Sequence, residues 1–113
     1  MATHRLIVFT EPATGKEAEY NEWYDQVHLK DVLEMEGFVA AQRFALSDAQ
    51  IVENAGEHVP SRYLAIYEIE AESLPAALEK LNAGSGTMQM SDALNMETAK
   101  AIAFSAIAER QIG

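Results

Sequence analysis

Residues 4–10, His-Arg-Leu-Ile-Val-Phe-Thr, place large apolar side chains on both faces of one extended run. Neighbours in a strand point to opposite sides, so Leu6 and Val8 share one face and Ile7 and Phe9 the other. Both faces then need cover, and this requirement limits the architecture more than any other feature of the chain. Residues 63–69, Tyr-Leu-Ala-Ile-Tyr-Glu-Ile, repeat the pattern. Tyr63, Ala65, Tyr67 and Ile69 fall on one face, and Leu64, Ile66 and Glu68 on the other.

Between these strands the period changes. After the break at Glu11-Pro12-Ala13-Thr14-Gly15 a helix is expected from about Lys16. At about 100° per residue, Tyr20, Trp23, Tyr24, Val27 and Asp31 fall in one arc, with His28 at its edge. Val32 and Leu33 fall outside that arc, so the helix is expected to break or shift its axis near Leu29–Lys30. Gly37 is a natural C-cap. Residues 38–46 read as a second strand, and residues 47–62, with Gly56 and Pro60, as a long loop. Ser73 and Pro75 open a second helix, whose stripe is Leu74, Ala77, Leu78 and Leu81. Asn82-Ala83-Gly84-Ser85-Gly86 is expected to stop it. Residues 87–98 read as a short helix or lid, and residues 99–108 as the last strand, with Ile102, Phe104, Ser105 and Ile107.

The order β-α-β-β-α-β over residues 1–113 is the ferredoxin-like arrangement, an α+β domain with a four-stranded antiparallel sheet. Two helices cover one face of such a sheet. Leaving a few hundred Å² of the other face wet, at about 25 cal/mol per Å², forfeits several kcal/mol. Pairing of two copies, sheet on sheet, is the economical way to cover it.

Charge narrows the partners. Eighteen acidic against eight basic residues give a net charge of −10, which repels phosphate backbones and anionic membranes. No apolar run approaches the ~18 residues of a membrane span, and the N-terminus does not read as a signal peptide. The absence of cysteine excludes disulfides, thiol catalysis and thiolate metal sites, and a cytoplasmic location is the default expectation.

Chemistry-bearing residues concentrate in residues 20–38, which hold the only Trp, two of the four Tyr and one of the three His. His28 and Asp31, three apart on a helix, are neighbours, so a carboxylate can orient an imidazole suited to general acid or base work. The same pair also fits a half-buried histidine bonded to a helix carbonyl. Trp23, Tyr20 and Tyr24 form either a core stripe or a wall on which a planar ligand stacks. Tyr63 and Tyr67 either direct their hydroxyls at an oxyanion in a pocket or belong to a dimer interface. Met88, Met90 and Met96 suit an adaptable pocket wall or simple gap filling. His58 lies in the long loop and reads as solvated or as part of a lid. The histidines are scattered, so no metal site is expected. No phosphate loop or Gly-x-Ser-x-Gly elbow occurs, and no cofactor is implied.

The pattern Tyr20-Asn21-Glu22-Trp23-Tyr24-Asp25-Gln26-Val27-His28, with Asp31-Val32 and Gly37-Phe38, resembles the dimeric α+β barrel superfamily. The likeness is to its EthD-like, stress-responsive and antibiotic-biosynthesis-monooxygenase-type small proteins, and Arg62 to Ile69 looks like their third strand. It spans essentially the whole chain. It implies a homodimer with a pocket between sheet and helices in each subunit. Members include cofactor-free monooxygenases, polyketide cyclases, lactone isomerases, haem-degrading enzymes and proteins without an assigned role. The resemblance to cyclases implies a role for His4 on the first strand, beside His28, Tyr63 and Tyr67. Some cyclase and haem-site members carry a histidine where residues 84–98 here have none.

The resulting expectation is a cofactor-free enzyme acting on an apolar, aromatic or polyketide-like small molecule. Proton transfer would drive cyclisation, isomerisation, elimination or oxygenation. His28, Asp31, Tyr67 and His4 are the candidate catalytic residues, and Trp23, Tyr24, Tyr63 and Met88 the candidate substrate contacts. The alternative is a non-catalytic small-molecule-binding or stress-associated homodimer. A dimer that serves interaction alone needs no pocket.

Overall fold

A computed structural model describes residues 2–113. The chain runs β1 (Thr3–Thr10), α1 (Glu17–Trp23), a π-helical turn (Tyr24–His28), α2 (Leu29–Leu33), β2 (Phe38–Ala45), a 3-10 turn (Ala55–His58), β3 (Tyr63–Glu70), α3 (Leu74–Ser85) and β4 (Lys100–Ser105). The four strands form one sheet in the order β2-β3-β1-β4. Every neighbouring pair is antiparallel, as the ferredoxin-like arrangement requires.

Register sorts the side chains as the alternation predicts. Leu6 lies opposite Tyr67 on β3 and Ala103 on β4, and all three face the helices. The core is built on that side from Leu6, Tyr20, Trp23, Tyr24, Val32, Phe38, Ala65, Tyr67 and Ile69, joined by Ala77, Ala93 and Leu94. Ile7 lies opposite Ile66 and Ile102, and Phe9 opposite Leu64, on the face that no helix covers. Ile102, Phe104 and Phe44 are 42%, 57% and 43% exposed there, so this apolar sheet face is open in the single chain.

Two local features were not read from the sequence. The first is a register shift between Phe38 and Ala40 on β2. The extra residue lets Phe38 and Ala41 share the helix side although they are an odd number apart, and it aims Arg43 under α1. The second is the π turn. The expected change of axis occurs, but it is centred on Tyr24–His28, ahead of Leu29–Lys30. One wide turn changes the helical phase, which returns Val32 to the core while Leu33 stays exposed.

The remaining boundaries follow local chemistry. Gly37 has φ +92°, and its carbonyl accepts from the Glu70 N–H at 2.8 Å. A side chain there would meet both a left-handed backbone and the Glu70 carbonyl oxygen, so glycine suits the position. Ser73 caps α3 by accepting from the Ala76 N–H at 3.2 Å. That helix runs through Asn82–Gly84 to Ser85, past its expected stop. Its Gly84 faces the Met35 side chain so closely that no Cβ fits without displacing it. Residues 87–98 form no helix. They are turns pinned by an isolated bridge between Pro12 and Leu94, with Ala93 and Leu94 buried. The last strand is shorter than expected and ends at Ser105.

Candidate functional site

The wide turn brings three aromatic groups together. The His28 imidazole stacks on the Trp23 indole with ring centres 4.8 Å apart and planes 23° apart. Its other neighbour is Tyr24, edge-on at 5.1 Å. The indole N–H donates to the Gln89 carbonyl at 2.9 Å, tying the 87–98 segment to this cluster.

Two polar atoms in this interior are buried without hydrogen-bond partners: His28 Nδ1 and the Tyr67 hydroxyl. Burial lowers the His28 pKa below the ordinary histidine value, and the Asp31 carboxylate opposes this without overcoming it. His28 is therefore a neutral imidazole at neutral pH, and Asp31 supplies charge rather than a bond to Nδ1. Burial, with the Tyr24 phenol beside it, pushes the Tyr67 hydroxyl far above the usual tyrosine range. Burial also raises Tyr24. Both phenols thus stay protonated and can donate.

The other candidates lie apart from this pair. His4 is buried, and both its ring nitrogens are engaged: Nε2 donates to the Ala71 carbonyl at 3.3 Å, and Nδ1 lies 2.8 Å from Ser105 Oγ. It closes the first end of β1 against β4. Tyr63 faces the helix side, but its hydroxyl donates to the Glu17 carboxylate, and this bond raises its pKa. Asp31 and Met88 meet in a crevice of about 230 Å³, lined also by Glu34, Met35, Thr87 and Gln89. His58 is exposed in the long loop.

Sequence reasoning missed Arg43. Its guanidinium carbon lies 4.6, 5.2 and 5.7 Å from the ring centres of Tyr24, Tyr20 and Tyr63. It donates to Asp25 Oδ1 and to Asn21 Oδ1, each at 2.9 Å. Arg43 lies in a groove of about 470 Å³ between α1, the π turn and β2. The available signal was an arginine among alanines on a strand, unusual for a helix-facing position. Tyr20, fully buried, bonds Thr10 Oγ1 and holds α1 to β1.

Among the described residues no group of three or more His, Asp or Glu side chains is arranged to hold a metal ion. No helix among them is long and apolar enough to cross a membrane.

No protein-family profile and no curated protein matches the sequence. Solved structures do match the fold. A candidate monooxygenase from Shewanella loihica is 14% identical, with TM-score 0.58 over 96% of this chain and 99% of its own. A dimeric ferredoxin-like protein of unknown function from Jannaschia sp. is 11% identical, with TM-score 0.59 over 92% of this chain and 99% of its own. An EthD family protein from Bacillus halodurans is 12% identical, with TM-score 0.56 over 95% of this chain and 100% of its own. At these identities the likeness is one of fold. The chain has the ferredoxin-like α+β fold that these structures share.

Proposed function

We propose that the chain is a homodimeric enzyme for an apolar, planar small molecule, working by proton transfer between His28 and Tyr67 without a bound cofactor. The observation that carries this reading is the pair of unpartnered polar atoms, His28 Nδ1 and the Tyr67 hydroxyl. An unsatisfied buried polar group costs about 1–3 kcal/mol, so such groups are exceptional in folded proteins. A ligand oxygen or hydroxyl that reaches either atom removes its penalty. A neutral imidazole accepts a proton from a carbon or hydroxyl, and a phenol that resists ionisation donates to the developing oxyanion. Trp23 and Tyr24 provide the stacking wall, and Asp31 favours the imidazolium that forms. The crevice at Asp31 and Met88 is the nearest opening, and the Gln89 carbonyl on its wall accepts from the Trp23 indole.

The second reading, a binding dimer without turnover, is favoured by one specific observation. The clefts at the His4–Glu68 end and along β2, and the crevice at Asp31 and Met88 too, do not have His28 or Tyr67 in their walls. Dimerisation itself is supported by the open row Ile7, Ile66 and Ile102, which a second sheet would cover.

The test is a thermal-shift screen of aromatic and polyketide-like ketones and phenols, followed by turnover assays on each binder. A ligand that binds only the folded state raises its melting temperature. His28→Ala that keeps the fold and binds but loses turnover supports the enzyme. Unchanged turnover in that variant removes His28 from the chemistry, and binders with no turnover in the wild type leave the second reading.

A further inference from the structure

The open face of the sheet and the orphan atoms do not explain Arg43. It is the one Lys or Arg on the helix-facing side of the four strands, a side otherwise built from Leu6, Val8, Ala65, Tyr67 and similar residues. Its side chain is only 13% exposed. Placing a guanidinium there is unfavourable unless its charge and its N–H donors are matched. The match is incomplete. A guanidinium has five N–H donors; Asp25 takes one through Oδ1 and Asn21 another. The Tyr20 hydroxyl is a third acceptor within reach, and Asp25, Asn21 and Tyr20 together leave two of the five donors without a side-chain partner.

The groove that contains Arg43 has two chemical halves. Asn21, Asp25 and Arg43 are polar, while Leu29, Ala41 and Phe44 present apolar surface beside them. The tyrosine faces fix the guanidinium plane without using its edge. Asp25 is half exposed and bonds by one oxygen, so it is a weak competitor that another carboxylate can displace.

We propose that Arg43 is the anchor for the acid group of the ligand, so that the molecule this protein takes is a small planar organic anion: a carboxylate, or an acidic phenol or enol, carried on an apolar ring system. The inference goes beyond the proposed function, because the walls of this groove hold neither His28 nor Tyr67. The Tyr24 ring touches both Arg43 and His28, at 4.6 and 5.1 Å, so an acid held at Arg43 lies across Tyr24 from the imidazole. The guanidinium fork pairs with the carboxylate, and Leu29 and Ala41 flank the ring. Arg43 acts as a specificity residue. The chain's overall charge of −10 gives acids no general welcome, so any selectivity for them comes from this one groove.

The experiment compares salicylate and 1-hydroxy-2-naphthoate with their neutral primary amides, by tryptophan fluorescence and thermal shift, on the full chain. The acids are expected to bind at least about tenfold tighter than the amides, the size of a charged hydrogen-bonded contact. Arg43→Gln is expected to erase that preference and Arg43→Lys to retain part of it. Asp25→Asn, which removes the competing carboxylate, is expected to tighten the acids and leave the amides unchanged. Should Arg43→Gln fail to fold, the acid-to-amide ratio in the wild type and the Asp25→Asn shift decide alone. Equal binding of acids and amides overturns the anchor while leaving the His28–Tyr67 reading intact. Preference unchanged in Arg43→Gln assigns Arg43 to packing of its three tyrosines and also overturns it. Binding of neither class overturns the anchor and leaves the His28–Tyr67 reading to its own ketone and phenol screen.

Discussion

The His28 imidazole lies flat on the Trp23 indole, and its Nδ1 is buried with nothing to bond. A histidine kept in this way is a poor place for a proton. Its folded pKa lies below the unfolded value of about 6.5. The unfolded chain therefore binds the proton more readily, and stability falls as pH falls. The contribution of a neutral His28 is fully present above about pH 6.5 and is lost as pH drops toward the lowered folded pKa. Urea midpoints measured at pH 7.5 and 5.5 are expected to decrease on acidification. The decrease should be smaller in His28→Gln, which has no such proton to take up. Equal acid sensitivity in both proteins would mean that His28 is not the buried neutral group described here.

Tyr67 offers the complementary experiment. Its hydroxyl is buried with no partner at hydrogen-bond distance and only the Tyr24 phenol near it, so Tyr67→Phe loses at most that weak contact and keeps the ring against Phe38. The variant is expected to be as stable as the wild type or more stable by about 1 kcal/mol, read from urea unfolding. Ligand binding and turnover should fall together. A large loss of stability would show that the hydroxyl has a partner in solution, and with it the argument for a ligand-facing donor would fail.

Much of this architecture was readable from periodicity alone, because Leu6, Tyr67 and Ile69 obey the two-residue alternation and Tyr20, Trp23 and Tyr24 the helical one. The candidate cluster of Trp23, Tyr24 and His28 followed from the same helical count. What escaped depended on single-residue insertions. The shift between Phe38 and Ala40 changes which face of β2 meets the helices, and nothing in Phe-Val-Ala-Ala marks where the extra residue sits. Arg43 came under α1 by that route and was passed over. The partners of His4 and Tyr63 also escaped, since Ala71, Ser105 and Glu17 are brought to them only by tertiary packing. Residues 87–98 kept a helical appearance in sequence but are held as turns by Pro12, Ala13 and Trp23, all distant along the chain.

The open sheet face makes a prediction about assembly. Ile66 sits in its middle row opposite Ile7, and Gln42 is its only polar neighbour in that row. Ile66→Lys places a charge at the centre of any sheet-on-sheet contact, without touching the helix-side core. Sedimentation is expected to move from dimer to monomer, and the unfolding midpoint to lose its dependence on protein concentration. A wild type that already sediments as a monomer at working concentration would remove the homodimer from the proposal.

The π turn makes the last prediction, because its effect on the fold and its effect on the site can be measured apart within one helix. A wide turn of this kind adds a residue to an otherwise regular helix and is less favourable than the α-helix it interrupts. Gln26 is exposed and lies inside it. Deleting Gln26 allows α1 and α2 to run on as one regular helix, with Tyr20 and Val32 still on the core side. Circular dichroism is expected to show undiminished helix, and the melting temperature to stay level or rise. The deletion sets Trp23 and His28 four apart, neighbours on a regular helix, so the stack and the ligand-induced thermal shift are expected to persist, and their loss in a stable variant would show that the widened turn itself shapes the site. Retained ligand response in a stable deletion variant would mean that the π turn only adjusts helical phase for Val32. A collapse of stability would mean instead that the extra residue is required to seat Val32 in the core.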